Sequence, residues 1–165
     1  MKKIVLYSSK TGFTEKYAKW ISEELNSDLK DINITSLDDL IKYDTIIYGG
    51  GVYAGVINKL SSIRNDFSDK NLIVFAVGMN KDNRELDKLK TSNKVDNLFY
   101  MPGGLDNDKM SFTNRMLLKT IKRMIKTKDN RTKEDQEFID TIGTSIDYTD
   151  KKYIKPLIEY IKSNY

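Results

Sequence analysis

Short apolar runs that alternate with helical patterns constrain the fold of this chain more than any other feature of its sequence. Five such runs, KIVLYS, LKDINI, DTIIYGGG, NLIVFAVG and NLFYMPGG, are rich in β-branched and aromatic residues. Neighbouring parallel strands need a crossover connection, and right-handed crossovers place helices against the faces of the sheet. The pattern therefore predicts an α/β fold in which helices cover both faces of a five-stranded parallel sheet.

Helical periodicity predicts the layers that cover this sheet. In the first helix, Tyr17, Ile21 and Leu25 fall on one apolar stripe. The expected helices span about residues 14–26, 58–67, 83–89 and 150–162. No internal repeat, low-complexity tract or Pro/Gly-rich linker separates these elements, so we expect one domain over residues 1–165.

The residue types that are missing limit the chemistry of the protein. The chain has neither cysteine nor histidine, which excludes disulfides, thiolate nucleophiles, imidazole acid/base catalysis and metal sites that need these ligands. We identify no catalytic residue and no metal ligand, and we expect chemistry from a borrowed cofactor or from carboxylates. The sequence also has no apolar window approaching the ~20 residues of a membrane-spanning helix and no signal-peptide core, so we expect a cytoplasmic protein.

A cluster of hydroxyl side chains stands between the first predicted strand and the first predicted helix. Residues 9–14 read SKTGFT, and the hydroxyls of Ser9, Thr11 and Thr14 can donate to phosphate oxygens. Gly12 allows the backbone to approach an anion closely. Anions bind at this position in α/β sheets because free N–H groups and the helix dipole favour negative charge. The loop therefore predicts a site for a phosphomonoester.

Other phosphate-binding loops match this segment less well. A P-loop needs a glycine separated by four residues from its Gly-Lys pair, and a dinucleotide fingerprint needs three glycines after the strand. Neither pattern is present in residues 9–14, and no acidic residues follow the strand as a phospho-receiver domain would need. One plain alternative stays open, in which Ser9 or Thr11 only caps the first helix.

Residues 9–14 resemble the flavodoxin phosphate loop, [ST]-x-T-G-x-T, which directly follows a first strand such as KIVLYS. Two later segments, IIYGGGVYAG at 46–55 and FAVGMNKD at 75–82, resemble the other loops that border the flavin in flavodoxin-like proteins. The resemblance covers most of the chain. It implies a doubly wound sheet with strand order 2-1-3-4-5 that holds non-covalently bound FMN.

The same resemblance implies the residues of the cofactor site. The phosphate would be held by Ser9, Lys10, Thr11, Gly12, Phe13 and Thr14. The isoalloxazine ring would be bordered by Gly51, Val52, Tyr53, Ala54 and Gly55, and its pyrimidine edge by Gly78, Met79 and Asn80. Tyr53 is the aromatic side chain expected to stack on the ring. Plainer interpretations also stay open, with the glycines at 49–51 and 55 as turn residues and Tyr53 as an ordinary exposed tyrosine.

Positive charge is concentrated near the end of the chain. The net charge is +4, but residues 109–133 hold nine Lys/Arg and one Asp, a charge of +8, which leaves −4 for the rest. This basic segment belongs to an insertion of about residues 105–147, between the fifth predicted strand and the last helix. Such a separation of charge needs an explanation of its own.

The basic segment has the period of an amphipathic helix over residues 112–126. Its apolar side carries Leu117, Ile121, Met124 and Ile125, and its basic side carries Arg115, Lys119, Lys122, Arg123 and Lys126. Phe112 and Met116 lie beside the basic side and would be exposed if the helix packed by its apolar side.

Several interpretations fit this helix. It can cover the sheet edge and expose a solvated cationic face, dock an acidic redox partner protein, or lie peripherally on the inner face of an anionic membrane. We do not expect it to bind nucleic acid, because no base-stacking aromatics interleave its charges.

Residues 103–132 resemble a block, G-x-L-[DN]-x-x-K-[ML]-[ST]-x-x-x-R-x-[ML], of flavodoxin-domain proteins similar to the quinone-linked protoporphyrinogen IX dehydrogenase. Our leading hypothesis is an FMN-binding flavodoxin-like redox protein, either an electron carrier or an FMN-dependent oxidoreductase. The narrower alternative is a protoporphyrinogen IX dehydrogenase-type enzyme that passes electrons to a quinone. A third alternative is a flavodoxin-fold binding module without flavin.

Overall fold

A parallel sheet with helices on both faces organises the computed structural model, which describes residues 1–165. The strands are β1 (Lys3–Ser8), β2 (Asp28–Asp31), β3 (Thr45–Tyr53), β4 (Val56–Ile57), β5 (Asn71–Gly78), β6 (Leu98–Pro102), β7 (Gly104–Leu105) and β8 (Ile146–Asp147). The helices are α1 (Phe13–Leu25), α2 (Leu60–Asp66), α3 (Leu86–Asn93), α4 (Phe112–Lys126), α5 (Lys133–Thr141) and α6 (Lys155–Asn164). None of the helices is both long and apolar enough to span a lipid bilayer.

The strands of the parallel sheet lie in the order β2-β1-β3-β5-β6, and β4 pairs antiparallel with the end of β3. Counted among the parallel strands alone, this order is 2-1-3-4-5, which confirms the predicted fold class. Ser8 pairs with Gly50, and Gly51 pairs with Val77. The carboxyl ends of β1, β3 and β5 therefore meet at one edge of the sheet.

Two apolar cores explain why both faces of the sheet are covered. Alternate strand residues point to opposite faces, so Ile4 and Leu6 join a cluster of 14 buried residues while Val5 joins a cluster of 13 on the other face. The first cluster includes Leu60 of α2 together with residues of α3. The second cluster includes Tyr17 of α1 together with residues of α6. The nearly continuous apolar strands are the sequence pattern of a sheet buried on both sides.

Three predicted boundaries were wrong or displaced, and two of them lie beside a local side-chain contact. The predicted strand LKDINI ends at Asp31, whose carboxylate accepts the N–H of Asn33 and starts a 3-10 turn over Ile32–Ile34. The helix expected at 83–89 is α3, which begins at Leu86 after a turn in which Asp82 pairs with Arg84. The last predicted helix begins as a 3-10 turn, Lys151–Ile154, before α6.

The insertion contains more regular structure than its sequence predicted. Helix α5 and the antiparallel pair β7–β8 were not expected, although Thr132 and Asp135 form a capping box at the start of α5. A small cluster of Leu105, Met110 and Ile142 holds the insertion together.

Helix α4 is amphipathic as predicted, but its apolar side does not pack as a buried face. None of its residues is buried, and Met124 is 65% exposed. Lys122, assigned to the basic side, instead directs its ammonium inward and donates to the carbonyl of Ile142 over 2.9 Å. Phe112 and Met116 are exposed, as expected. Periodicity predicts which side chains share a helix face, but it cannot predict whether that face meets protein or a cavity.

Candidate functional site

A cavity with a volume of about 880 Å³ lies at the carboxyl edge of the parallel sheet. Its walls come from the loop after β1, the end of β3 with the hairpin to β4, the end of β5, and the insertion. The volume falls within the range of pockets that bind a single cofactor or drug-sized ligand. Open α/β sheets bind ligands at this edge.

The hydroxyl loop is shaped by its own first serine. Gly12 is the N-cap residue of α1 and has a φ of 95°, a conformation that favours glycine. The N–H of Gly12 donates to the Oγ of Ser9 over 3.0 Å, and no side chain caps the helix. The interpretation of Ser9 or Thr11 as a plain helix cap was therefore wrong, because Ser9 closes the turn that precedes the helix.

Thr14 directs an unpaired polar group toward the cavity. Its side chain is buried, lines the cavity, and makes no hydrogen bond within the protein. The first hydrogen bond of α1 runs from the N–H of Lys16 to the carbonyl of Gly12 over 2.9 Å, so the N–H groups before Lys16 have no upstream helical acceptor. The hydroxyl reaches the cavity, where an anionic ligand would supply an acceptor for it.

The ring-facing loop predicted from the sequence is a tight β-hairpin. Val52 pairs with Ile57 and Tyr53 with Val56, and the two turn residues between them, Ala54 and Gly55, have φ values of 48° and 78°. Positive φ at both positions is what a type I′ hairpin requires. The buried Asn93 fastens this hairpin from behind.

The side chain of Asn93 makes two hydrogen bonds that hold the hairpin. Its amide nitrogen donates to the carbonyl of Gly55 over 2.9 Å, and its oxygen accepts the N–H of Ile57 over 2.8 Å. Tyr53 is 47% exposed at the cavity wall, and the ammonium of Lys10 lies 5.6 Å from the centre of its ring. The hairpin therefore presents an aromatic ring to the cavity on a fixed backbone.

The three consecutive glycines of β3 serve packing rather than a turn. All of them lie within the strand, and a Cβ on Gly49 would collide with the ring of Phe75. A Cβ on Gly50 would lie 2.7 Å from Ile57. At Gly51 the nearest contact would be the Oγ1 of Thr14 at 3.9 Å. The interpretation as turn residues was wrong for these three glycines, of which only Gly51 lines the cavity, whereas Gly55 is a turn residue of the hairpin.

The third predicted loop, after β5, is supported by Tyr100. A Cβ on Gly78 would lie 2.7 Å from the hydroxyl of Tyr100, which itself donates to the carbonyl of Asn80 over 2.9 Å. Burial raises the pKa of this hydroxyl well above its usual range, so it remains a donor. Met79 packs against the insertion and lines the cavity, whereas the side chain of Asn80 turns outward to Glu85.

The structure brings most of the predicted site residues to one cavity. Those that line it are Lys10, Thr11, Phe13, Thr14, Gly51, Val52, Tyr53, Ala54, Gly78 and Met79. Ser9, Gly55 and Asn80 do not line it, and Gly12 faces a smaller neighbouring cavity of about 310 Å³. Their contacts with a ligand stay a prediction.

The insertion contributes a wall that the sequence interpretation did not assign to the site. Helix α4 lines the cavity with Thr113, Asn114, Leu117, Leu118 and Ile121. Strand β7 and the loop after it add Leu105, Asp106, Lys109, Met110 and Ser111. The exposed half of Leu117 therefore faces the cavity. The quoted block at residues 103–132 contained these residues, but nothing in its spacing placed them over the phosphate loop.

The family model of the flavodoxin domain matches residues 4–133. The chain belongs to the flavodoxin-domain family. Over 60 residues, this flavodoxin-domain chain is 43% identical to the uncharacterized protein MJ0298 of Methanocaldococcus jannaschii. The alignment covers 36% of the chain and only 40% of that protein.

Solved structures similar to this flavodoxin-domain chain include two flavodoxins. One comes from the domain Archaea, with 16% identity, a TM-score of 0.45, and coverage of 66% of the chain and 88% of that structure. The other is oxidised flavodoxin 2 of Bacillus cereus, with 20% identity, a TM-score of 0.47, and coverage of 62% and 84%.

Proposed function

We propose that the chain binds FMN non-covalently and acts as a flavin-dependent redox protein. One observation carries the proposal: the cavity joins the unpaired hydroxyl of Thr14, at the N-terminus of α1, to the exposed ring of Tyr53. A phosphate at the first end and a flat aromatic system at the second would match this arrangement. Membership of the flavodoxin-domain family supports the same ligand.

The residues present fit the two ends of FMN. Thr11, Thr14 and the N–H groups that begin α1 would hold the phosphate, and Gly51 leaves open the space beside Thr14. Tyr53 and Val52, on the hairpin that Asn93 fixes, would border the isoalloxazine ring. Bound FMN would supply both one-electron and two-electron redox chemistry. The apolar side chains around the ring would exclude water from it.

The wall formed by α4 favours a small acceptor over direct contact with a large redox protein at the same opening. Leu117, Leu118 and Ile121 face the hairpin across the cavity, and an apolar, flat molecule of the quinone class would suit such a wall. This is the observation that favours the narrower candidate function, a dehydrogenase that resembles the quinone-linked protoporphyrinogen IX dehydrogenase. A protein partner at the basic side of α4 is the competing proposal.

Titration of the apoprotein with FMN and with riboflavin, followed by flavin fluorescence, tests the main proposal. FMN is expected to bind far more tightly than riboflavin. Thr11→Val and Thr14→Val should each weaken FMN binding by about 1 to 3 kcal/mol, because a charge-assisted hydrogen bond is lost, with little effect on riboflavin. Equal affinities for both flavins would reject this phosphate site, and no binding of either would favour the module without flavin.

Anaerobic turnover separates the two candidate functions. FMN-loaded protein is mixed with protoporphyrinogen and a quinone, and oxidation of the porphyrinogen is followed by absorbance. Turnover that Leu117→Asp impairs, with FMN affinity preserved, would support the narrower function. Absence of turnover, together with rapid electron exchange with a redox protein, would support a carrier.

A further inference from the structure

Lys109 places its ammonium beside the phosphate loop at residues 9–14, although it lies outside that loop in the sequence. A Cβ on Gly12 would lie 3.7 Å from the Nζ of Lys109. Lys109 belongs to the insertion, nearly 100 residues later in the chain, and lines both the large cavity and its smaller neighbour. The ammonium therefore stands where the two cavities meet, next to the N-terminus of α1.

The two other lysines near the loop are engaged elsewhere. The ammonium of Lys10 lies over the ring of Tyr53, 5.6 Å from its centre. Lys16 donates to Asp147 over 2.8 Å and faces the ring of Trp20. Among these three lysines, Lys109 is the one whose ammonium adjoins the turn at Gly12.

A carboxylate keeps Lys109 in this place. Asp106 accepts the backbone N–H groups of Asp108 and Lys109, each over 3.1 Å, and its other oxygen lies 3.3 Å from the Nζ of Lys109. Hydrogen bonds from the backbone and side chain of Lys109 lower the pKa of Asp106, so the carboxylate stays charged at neutral pH. The ammonium still offers donors to a second anion, because it has three N–H groups.

We infer that Lys109 is a ligand of the phosphate and makes the site selective for phosphorylated flavin. The inference rests on the proposed binding of FMN. Two independent features point to an anion here, namely the cation beside Gly12 and the unpaired hydroxyl of the buried residue Thr14, which lines the cavity at the start of α1. A phosphate dianion would accept hydrogen bonds from both.

Lys109 also gives the insertion a direct role in binding. The loop that carries it continues through Met110, in the small apolar cluster of the insertion, to Ser111, which caps α4. A contact between Lys109 and the phosphate would therefore fix the entry to α4, the helix that walls the other side of the cavity.

The test compares dissociation constants of FMN and riboflavin for four proteins: wild type, Lys109→Met, Lys109→Arg and the control Lys16→Met. The control removes the same charge from a lysine near the same loop whose ammonium is held by Asp147. Because the side chain of Lys109 is 63% exposed, solvent screens it, and we expect Lys109→Met to weaken FMN binding about five- to tenfold at low ionic strength. Raising the salt concentration should shrink this difference.

Riboflavin affinity should change less than about twofold in every variant, since riboflavin carries no phosphate to lose a charged partner. Lys109→Arg should retain FMN affinity, and Lys16→Met should lose clearly less than Lys109→Met. The inference is overturned if Lys109→Met binds FMN as wild type does, if Lys16→Met loses as much, or if riboflavin weakens in parallel. Failure of wild type to bind FMN would instead reject the proposed function.

Discussion

The parallel sheet and the insertion border the same cavity but are held in place very differently. The sheet buries clusters of 14 and 13 apolar residues on its two faces, whereas the insertion has a cluster of three. Helix α4 buries no residue at all. One wall of the site is therefore built on a rigid core, and the opposite wall rests on a few contacts.

Polar contacts compensate partly for the small core of the insertion. Arg84 pairs with Glu134 of α5 over 2.9 Å, Lys16 pairs with Asp147 at the end of β8, and Lys122 donates to the carbonyl of Ile142. The side chains of both ion pairs are about half exposed, and ion pairs in water contribute little. We therefore expect a ligand in the cavity to stabilise the insertion more than the sheet.

Amide hydrogen exchange should show the largest difference between the sheet and the insertion. Amides of β3 and β5 should exchange through global unfolding, and those of α4 through local opening, so their rates should differ by at least about 10³-fold. Mass spectrometry of peptic fragments measures this. FMN should slow exchange in α4 selectively. Equal protection of α4 and β3 would show that the insertion unfolds only with the sheet.

A matched pair of leucine substitutions compares the two regions in stability. Leu6→Ala, at a fully buried position of β1, should lower the free energy of unfolding by about 2 to 5 kcal/mol because it leaves a cavity. Leu117→Ala, at a half-exposed position of α4, should change it by less than about 0.5 kcal/mol. Denaturant titration followed by the fluorescence of Trp20 measures both. Similar losses at the two sites would contradict the comparison.

Tyr53→Ala tests the wall of the site that the parallel sheet carries. The hairpin backbone is held by Asn93 and not by the tyrosine ring, so the substitution should leave stability nearly unchanged. Flavin affinity should fall by about 0.5 to 1.5 kcal/mol, for riboflavin as well as FMN, because a stacking partner is lost. The flavin absorption spectrum should also shift. An unchanged affinity and spectrum would mean that the ring faces away from the flavin.

Charge reversal on the outer side of α4 should change the FMN affinity of the protein least of all. Lys119, Arg123 and Lys126 are exposed, and replacing all three by Glu should alter FMN affinity by less than about 0.5 kcal/mol. Association with an acidic redox protein or with anionic vesicles should weaken, most clearly at low salt. A wild-type protein that binds neither would leave these lysines and arginines as a solvated face. Lys122 is left intact because its ammonium bonds to Ile142.

Much of the sheet and of the phosphate loop could be predicted because both depend on residues close in sequence. Strands β1 and β5 match the predicted runs at both ends, since apolar, β-branched runs form strands buried on both faces. The loop at residues 9–14 lies between a strand and a helix, so its location followed from the two patterns that flank it.

The hairpin after β3 could be predicted only in part. The sequence marked Tyr53 and its glycines as a loop, but the two-residue turn at Ala54 and Gly55 places a non-glycine residue at positive φ. Its backbone is secured by Asn93, 38 residues away from Gly55 in the chain. A side chain that bonds across such a distance leaves no local pattern to identify it.

From the sequence alone, periodicity and the chemistry of neighbouring residues specified the class of the fold and the hydroxyl loop, and the resemblance to flavodoxins implied the order of the parallel strands. That α4 faces a cavity and that Lys109 reaches Gly12 could be seen only in the folded structure. Those two facts depend on how β7 pairs with β8 and on the cluster of Leu105, Met110 and Ile142. Such contacts join residues far apart in the chain, and their geometry is set by packing in three dimensions.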